Sequence, residues 1–458
     1  MCDVCFPERG RPEGEDPGGR RTGRPGQRPA PDVPAPVPSA PRGSAARGGA
    51  RGDRHAGRLG DPLRSARHGP VHLPAEPAGA VLRHQPPPAP PQPHRRAEGG
   101  PGRPTPGTGH GRGGGDVMTQ LPTAVTARPE APEARGEISR MVRSRLLGGG
   151  RLPLAADIAR SSPYGEDLQL ALHLCYELHY QGFAGVPDTL EWDPGLLRVR
   201  ALMEHRFESA LRHDCRHHAG VDEALAALLM EPVDGTGVSH FLASSGEPWH
   251  LREYVALRSV HQLREADPHL WVIPRLRGRA KAAMVAVEYD EYGCGRPERM
   301  HSGLYAELMA DLGLDPSYGR HVDVAGAEVL AVSNLMSMFG LHRRLRGALV
   351  GHFAVVETTS PPAAARIAAA LRRTGAGPAA ERYYEEHVEA DAVHEQVVRH
   401  EVVGGLLDDE PDLADDVAFG IAATSLLEDR LGGRVVDAWS RGESALRTPL
   451  PQPSGSER

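Results

Sequence analysis

The sequence predicts an all-α protein. Apolar residues recur at helical spacing in segment after segment, as with Leu168, Leu172, Cys175 and Leu178. Gly and Pro punctuate those segments where helices would begin or end. No stretch reads convincingly as a strand, and no internal repeat appears.

Composition divides the 458 residues before any helix is placed. Residues 1–117 are mostly Pro, Gly, Arg and Ala, as in Gln85-Pro86-Pro87-Pro88-Ala89-Pro90. Such a segment buries too little apolar surface to offset its ordering entropy, so disorder is expected there. The chain has a single lysine, Lys281, and the residue usage of a GC-rich genome, in which non-coding stretches also translate to Pro, Gly and Arg. The natural start is therefore expected at Met118. Residues 118–150 read as a leader with a weak helix, 151–435 as one all-α domain, and 436–458 as a disordered tail. The formal charge of -7 understates how acidic the folded part is, because the first segment is basic. That segment lacks the aromatic residues that stack on bases, so a nucleic-acid partner is not expected. Cys2 and Cys5 form a CxxC with no second pair to complete a zinc site. Cys175, Cys215 and Cys294 show no disulfide pattern, which suits a reducing cytoplasm. No apolar run is long enough to span a membrane, and no secretory signal is present.

Taken in order, the elements begin with a weak helix over 138–147 and a core helix over 166–181 that Gly182 ends. A helix opening at Pro194 follows, with proline at a first-turn position; it runs to about Arg212, and another covers 221–229. His213, His217 and His218 sit among arginines and read as a solvated helix end. From Trp249 a long helix is expected whose end carries Glu265. A second, over 276–292, has small inner residues and is broken by Gly293 and Gly295. Pro297 opens a third, with His301, Leu304, Tyr305 and Leu308 at i, i+3, i+4 and i+7. A helix through Leu345, Leu349, Phe353 and Glu357 is expected to close at Ser360-Pro361-Pro362, with an Ala-rich helix over 362–373 after it. A long helix over 378–407 and a last one over 413–431, stopped by Gly432-Gly433, complete the chain.

The stretch at 384–394 sets the chemistry. His387, Asp391 and His394 stand at i, i+4 and i+7, which stacks two imidazoles and a carboxylate on one helix face. Glu265, Glu291, His301 and Glu357 each lie in line with an apolar stripe, where a lone charged group would be costly. Four carboxylates in one core would repel one another or have to protonate. Two divalent cations balance them, which argues for a two-metal centre of oxygen and imidazole ligands.

These intervals resemble the heme-oxygenase-like diiron oxidases, the iron-containing redox enzymes. Glu265 to Glu291, Glu291-x9-His301, Glu357 and His387-x3-Asp391-x2-His394 follow that family's ligand order, and Asp290-Glu291-Tyr292-Gly293-x-Gly295 looks like its helix end. The resemblance covers about residues 150–435. It implies a heme-oxygenase-like multi-helical bundle of about seven core helices, with Glu265, Glu291, His301, Glu357, His387, Asp391 and His394 as metal ligands. It further implies two Fe(II) ions, O2 as co-substrate, a small-molecule substrate, and an external electron donor such as a ferredoxin or reductase. Reactions in the family include N-oxygenation of amines, C–C cleavage of amino acids and oxidative decarboxylation of fatty acids. A homodimer is compatible with this reading, and neither a membrane nor nucleic acid is expected as a partner.

The nearest rival is a ferritin-like iron-binding carboxylate protein, which would use Glu298-x-x-His301 and Asp391-x-x-His394 and leave His387 unused. A heme site would need one histidine and would place propionates against carboxylates. A helical metal-binding protein without catalysis is the remaining alternative. Tyr289, Tyr292, Tyr305 and Phe353 read as core packing, and the low aromatic content leaves a lipid tail and an amino-acid side chain equally open as substrates.

Overall fold

The computed structural model describes residues 128–230, 235–448 and 450, with the side chains of residues 389, 391 and 392 outside that description. The expected disorder before residue 118 and the CxxC at Cys2 lie outside the described residues. Among those described, the chain is helical throughout, with no strand. In chain order the α-helices are α1 (Glu137–Leu146), α2 (Ala155–Arg160), α3 (Glu166–Glu177), α4 (Pro194–Asp214), α5 (Val221–Leu228), α6 (Val238–Ser245) and α7 (Pro248–Gln262). There follow α8 (Asp267–Leu270), α9 (Gly278–Glu291), α10 (His301–Asp311), α11 (Ala327–Leu341) and α12 (Arg346–Thr374). The last are α13 (Pro378–Val397), α14 (Gly404–Asp409) and α15 (Ala414–Ser440). A π-helical turn, Val398–Val403, joins α13 to α14.

Local chemistry explains the boundaries. Asp193 caps α4 by accepting from the Leu196 N–H at 2.8 Å, ahead of Pro194. His213 and His217 are exposed beyond the buried stripe of that helix, as expected of a solvated end. The core is continuous from Ile138 through Leu431 and on to Leu446. The chain therefore stays packed past residue 435, and α15 runs through Gly432-Gly433, because an isolated glycine pair costs a helix only about 2 kcal/mol and Leu431, Val435 and Trp439 are all buried.

Helix α12 is the centre of the bundle and packs against α13, α15, α6 and α11. Its approach to α15 depends on two glycines. A Cβ at Gly351 would collide with the Val417 carbonyl, and one at Gly420 with that of Ala348. The expected break at Ser360-Pro361-Pro362 does not occur, and α12 is one helix of 29 residues with both prolines inside it. Each proline lacks an N–H, so the carbonyls of Glu357 and Thr358 have no i+4 donor. The Thr359 and Ser360 hydroxyls donate back to the Val355 and Val356 carbonyls at 2.9 and 2.7 Å. Packing on both sides outweighs that loss.

One further difference from the sequence expectations concerns a side chain. Tyr289 is 42 % exposed rather than packed in the core. Cys175 and Cys215 are free and buried, as their spacing led one to expect.

Candidate metal centre

Helix α9 ends at Glu291, and Gly293, Cys294 and Gly295 follow with φ of 65, 54 and 77°. Three successive left-handed residues reverse the chain within one turn, a conformation that glycine takes without strain. His301 thereby opens α10 with its Nδ1 2.8 Å from Glu291 Oε2. Glu265 lies in the turn between α7 and α8, three residues past the end of α7 rather than on it. The turn frees its carboxylate from the helix face.

Helix α13 supplies the other side. His387 Nδ1 donates to the Tyr383 carbonyl, 2.7 Å away, and its Nε2 stands 3.5 Å from Glu265 Oε1. His394 is oriented through the opposite nitrogen. Its Nε2 lies 3.4 Å from Asp290 Oδ2, while Nδ1 faces Glu357 Oε2 at 3.3 Å and Glu291 Oε1 at 3.7 Å. Fixing one ring nitrogen through an oxygen partner sets the tautomer and leaves the other to ligate, the usual arrangement behind a metal-bound histidine.

Two groups of ligand atoms result. Glu265, Glu291, His301 and His387 each offer an atom within 4.8 Å of the others, and Glu291, Glu357 and His394 do the same. Glu291 belongs to both, with one oxygen toward His301 and the other toward His394. All but Asp391 of the seven residues picked out in the sequence are thus brought together. Asp391 lies on α13 between His387 and His394, and its side chain is outside the described residues.

The electrostatics reflect crowded carboxylates. Burial favours neutral Glu291, but the imidazoles of His301, His387 and His394 hold its pKa below the usual carboxylate range. Burial also lowers His301, yet the adjacent Glu291 leaves it above its ordinary value. The donor set fits a pair of divalent cations. Buried carboxylates that lean on histidines for charge would gain from two metal ions, and mixed imidazole and carboxylate suit iron.

Several neighbours had no sequence signal. Glu288, one turn before Glu291, is 2 % exposed, and neither carboxylate oxygen has a hydrogen-bond partner among the described residues, with His269 Nδ1 standing 3.7 Å from Oε1. Burial first, then the carboxylates of Glu291 and Glu357, push its pKa well up. Its position at i-3 from Glu291 was the only available clue. Gln262 donates from Nε2 to Glu265 Oε1 at 2.7 Å and to the Tyr383 hydroxyl at 2.6 Å, and that hydroxyl lies 3.2 Å from each Glu265 oxygen. Hydroxyl and amide positions around a ligand depend on the folded bundle and leave no pattern in the chain.

A cavity of ≈ 160 Å³ opens beside the centre, with Glu265 and His387 in its wall and Tyr305 among its lining residues. Tyr305 is also fully buried and donates to the Val255 carbonyl at 2.8 Å, so it packs the core and lines the cavity at once. No helix among the described residues is long and apolar enough to cross a membrane. Residues 252–429, from α7 into α15, match the sequence model of the iron-containing redox enzymes, and no curated protein matches the chain.

Proposed function

With residues 252–429 identified as a segment of the iron-containing redox enzyme family, we propose that the chain is a two-iron oxidase or oxygenase acting on a small metabolite held in the cavity beside Glu265 and His387. Glu291, shared by both ligand groups, is the observation that carries this reading. One ion would be held by Glu265, His301 and His387, the other by Glu357 and His394, with Glu291 between them. Asp391, at i+4 from His387 and i-3 from His394, is assigned to the same set by its place on α13. Ferrous iron supplies the electrons that O2 activation requires and that protein side chains do not provide.

The chain's own residues prepare the site. Tyr383 orients His387 through its carbonyl and Glu265 through its hydroxyl. Asp290 holds the His394 ring. Surrounding helices exclude water from Glu291, His301 and His394, each under 9 % exposed, which strengthens electrostatic interactions there. N-oxygenation, C–C cleavage and oxidative decarboxylation are the outcomes open to such a site, with electrons from a donor such as a ferredoxin or reductase.

The ferritin-like alternative needs Glu298 as a ligand, and Glu298 is exposed in the short turn ahead of α10. A purely structural metal protein gives no reason for a cavity next to the ligands. Anaerobic loading with Fe(II) followed by O2 tests the proposal. Uptake of two irons and a transient visible absorbance are expected; no uptake, or uptake ending in mineral, would overturn it.

A further inference from the structure

One wall of the cavity is not used by the metal centre. His261, His269 and His352 are 7, 4 and 2 % exposed, and all three line the cavity. Each has a ring nitrogen with no hydrogen-bond partner among the described residues: Nδ1 of His261, Nε2 of His269 and Nε2 of His352. One buried unsatisfied nitrogen is a cost that a fold can carry, whereas three around one cavity call for something that satisfies them.

The tautomer of His352 follows from its neighbour. Thr424 Oγ1 donates its only proton to the Gly420 carbonyl at 2.8 Å. It must therefore accept from His352 Nδ1, 3.0 Å away. In a neutral ring that leaves Nε2 as a lone pair, an acceptor waiting for a donor. Burial keeps these rings neutral, and His269 is lowered to about 4.

Charge narrows the ligand further. Among the described residues Arg258 is the one arginine in the lining, and its Nη1 lies 2.9 Å from both oxygens of Glu428, so its charge is already compensated. Glu265, from the metal side, adds a carboxylate to the cavity lining. An anionic ligand would meet neutral histidines and acids with no uncompensated cation. Size narrows it again, since a cavity near 150 Å³ takes a molecule the size of benzene, roughly six to ten heavy atoms. A long acyl chain would extend beyond that space.

We propose that the histidine wall selects a small amine, with an N–H donated to His352 Nε2 and the short aliphatic remainder against Val332, Met336 and Ile367. This rests on the reading of the cavity as the substrate site of a two-iron enzyme, and it chooses among the substrates which that reading leaves open. His352, and Thr424 acting through it, are then the residues that set specificity.

The test is calorimetric titration of the full chain, metal-free and loaded with Fe(II) under anaerobic conditions, with pentylamine, pentanoate and pentanol as probes. Pentylamine is expected to bind about tenfold tighter than either of the others. His352→Leu should weaken pentylamine about tenfold and leave pentanoate, which has no proton to donate, within about twofold, and Thr424→Val, which releases the tautomer, should give a smaller loss of pentylamine in the same direction. The comparison of the three probes on the unmodified protein needs no variant to fold. Pentanoate or pentanol binding as tightly as pentylamine to either form, no binding of pentylamine at all, or unchanged pentylamine affinity in His352→Leu would overturn the proposal. Iron counted in the same samples separates the two claims. Two irons without amine binding sinks the amine alone, and amine binding without iron uptake sinks the two-iron reading alone.

Discussion

Tyr383 holds His387 and its surroundings from two directions. Its carbonyl accepts the His387 Nδ1–H at 2.7 Å, and its hydroxyl lies 3.2 Å from both oxygens of Glu265, the carboxylate that His387 Nε2 faces. Removing the hydroxyl leaves the backbone contact intact and takes away the link to Glu265 together with the bond that the hydroxyl accepts from Gln262 Nε2 at 2.6 Å. Tyr383→Phe should keep the capacity for two irons but weaken the affinity of one about tenfold, the lower end for partners that orient a ligand. Anaerobic Fe(II) titration of the variant checks this, and an unchanged isotherm would mean that the hydroxyl does not tune the site.

Glu298 discriminates between the two ways of pairing a glutamate with His301. It is exposed, whereas Glu291 is buried with an oxygen 2.8 Å from the ring. Glu298→Ala should leave iron uptake unchanged, and His387→Ala should lower it. The reverse result would favour the ferritin-like ligand set.

Stability should fall in acid partly because of a histidine that belongs to neither ligand group. His173 is 3 % exposed, and burial first, then Arg264 and Arg135, lowers its pKa from 6.5 to about 3. The unfolded chain takes up a proton below pH 6.5 and the folded chain does not, so stability is lost as pH falls through that value. Between pH 6.5 and 5 the loss from this group is roughly 2 kcal/mol. Buried Glu177, raised to about 7, acts in the opposite sense, because its folded form holds a proton that the unfolded form releases above pH 4.5. The two are separated by comparing urea unfolding of the wild type and His173→Leu at both pH values. The variant should lose about 2 kcal/mol less between them, and an equal loss would rule out the buried neutral histidine.

Helix α13 should be loosest when no metal is present. It carries His387, Asp391 and His394 and ends in the π-helical turn at Val398–Val403, a distortion of a kind common at functional sites. Gly405, just past that turn, packs so closely on α9 that a Cβ there would stand 2.9 Å from the Ala280 nitrogen. Amides 383–400 should exchange at least tenfold more slowly once Fe(II) is bound. Identical exchange in the two states would show that the ligand helix is already rigid.

Much of the fold was legible because its helices are two-sided. The stripes of α3, α4, α7 and α10 gave their positions to within a few residues, the helix expected over 378–407 is α13, the π-helical turn and α14 in succession, and the candidate ligands drew notice because charged groups interrupt apolar stripes. Helix α11 was not legible. Thirteen of its residues, Ala327 through Gly340 except Glu328, are buried, so it has no polar face to set a period. Short α2 and α6 offer too few turns for a pattern. The continuous α12 was read as two helices because proline is a sound local stop signal that packing overrode. At the site, residues acting through their own side chains stood out, while Tyr383, Gln262 and Glu288 matter through contacts that exist only in the folded bundle. The assignment of seven ligands to two ions came from the family resemblance and charge balance; the sharing of Glu291 came from geometry.

That sharing is the central claim, and counting iron in three variants tests it most directly. Anaerobic Fe(II) titration followed by gel filtration and metal analysis should give two irons per chain for the wild type. His301→Ala and Glu357→Ala, each confined to one ligand group, should each retain about one iron, and Glu291→Ala should retain fewer than either, because both groups lose a ligand at once. A wild type that binds a single iron, or a Glu291→Ala variant that binds as much as His301→Ala, would contradict the account.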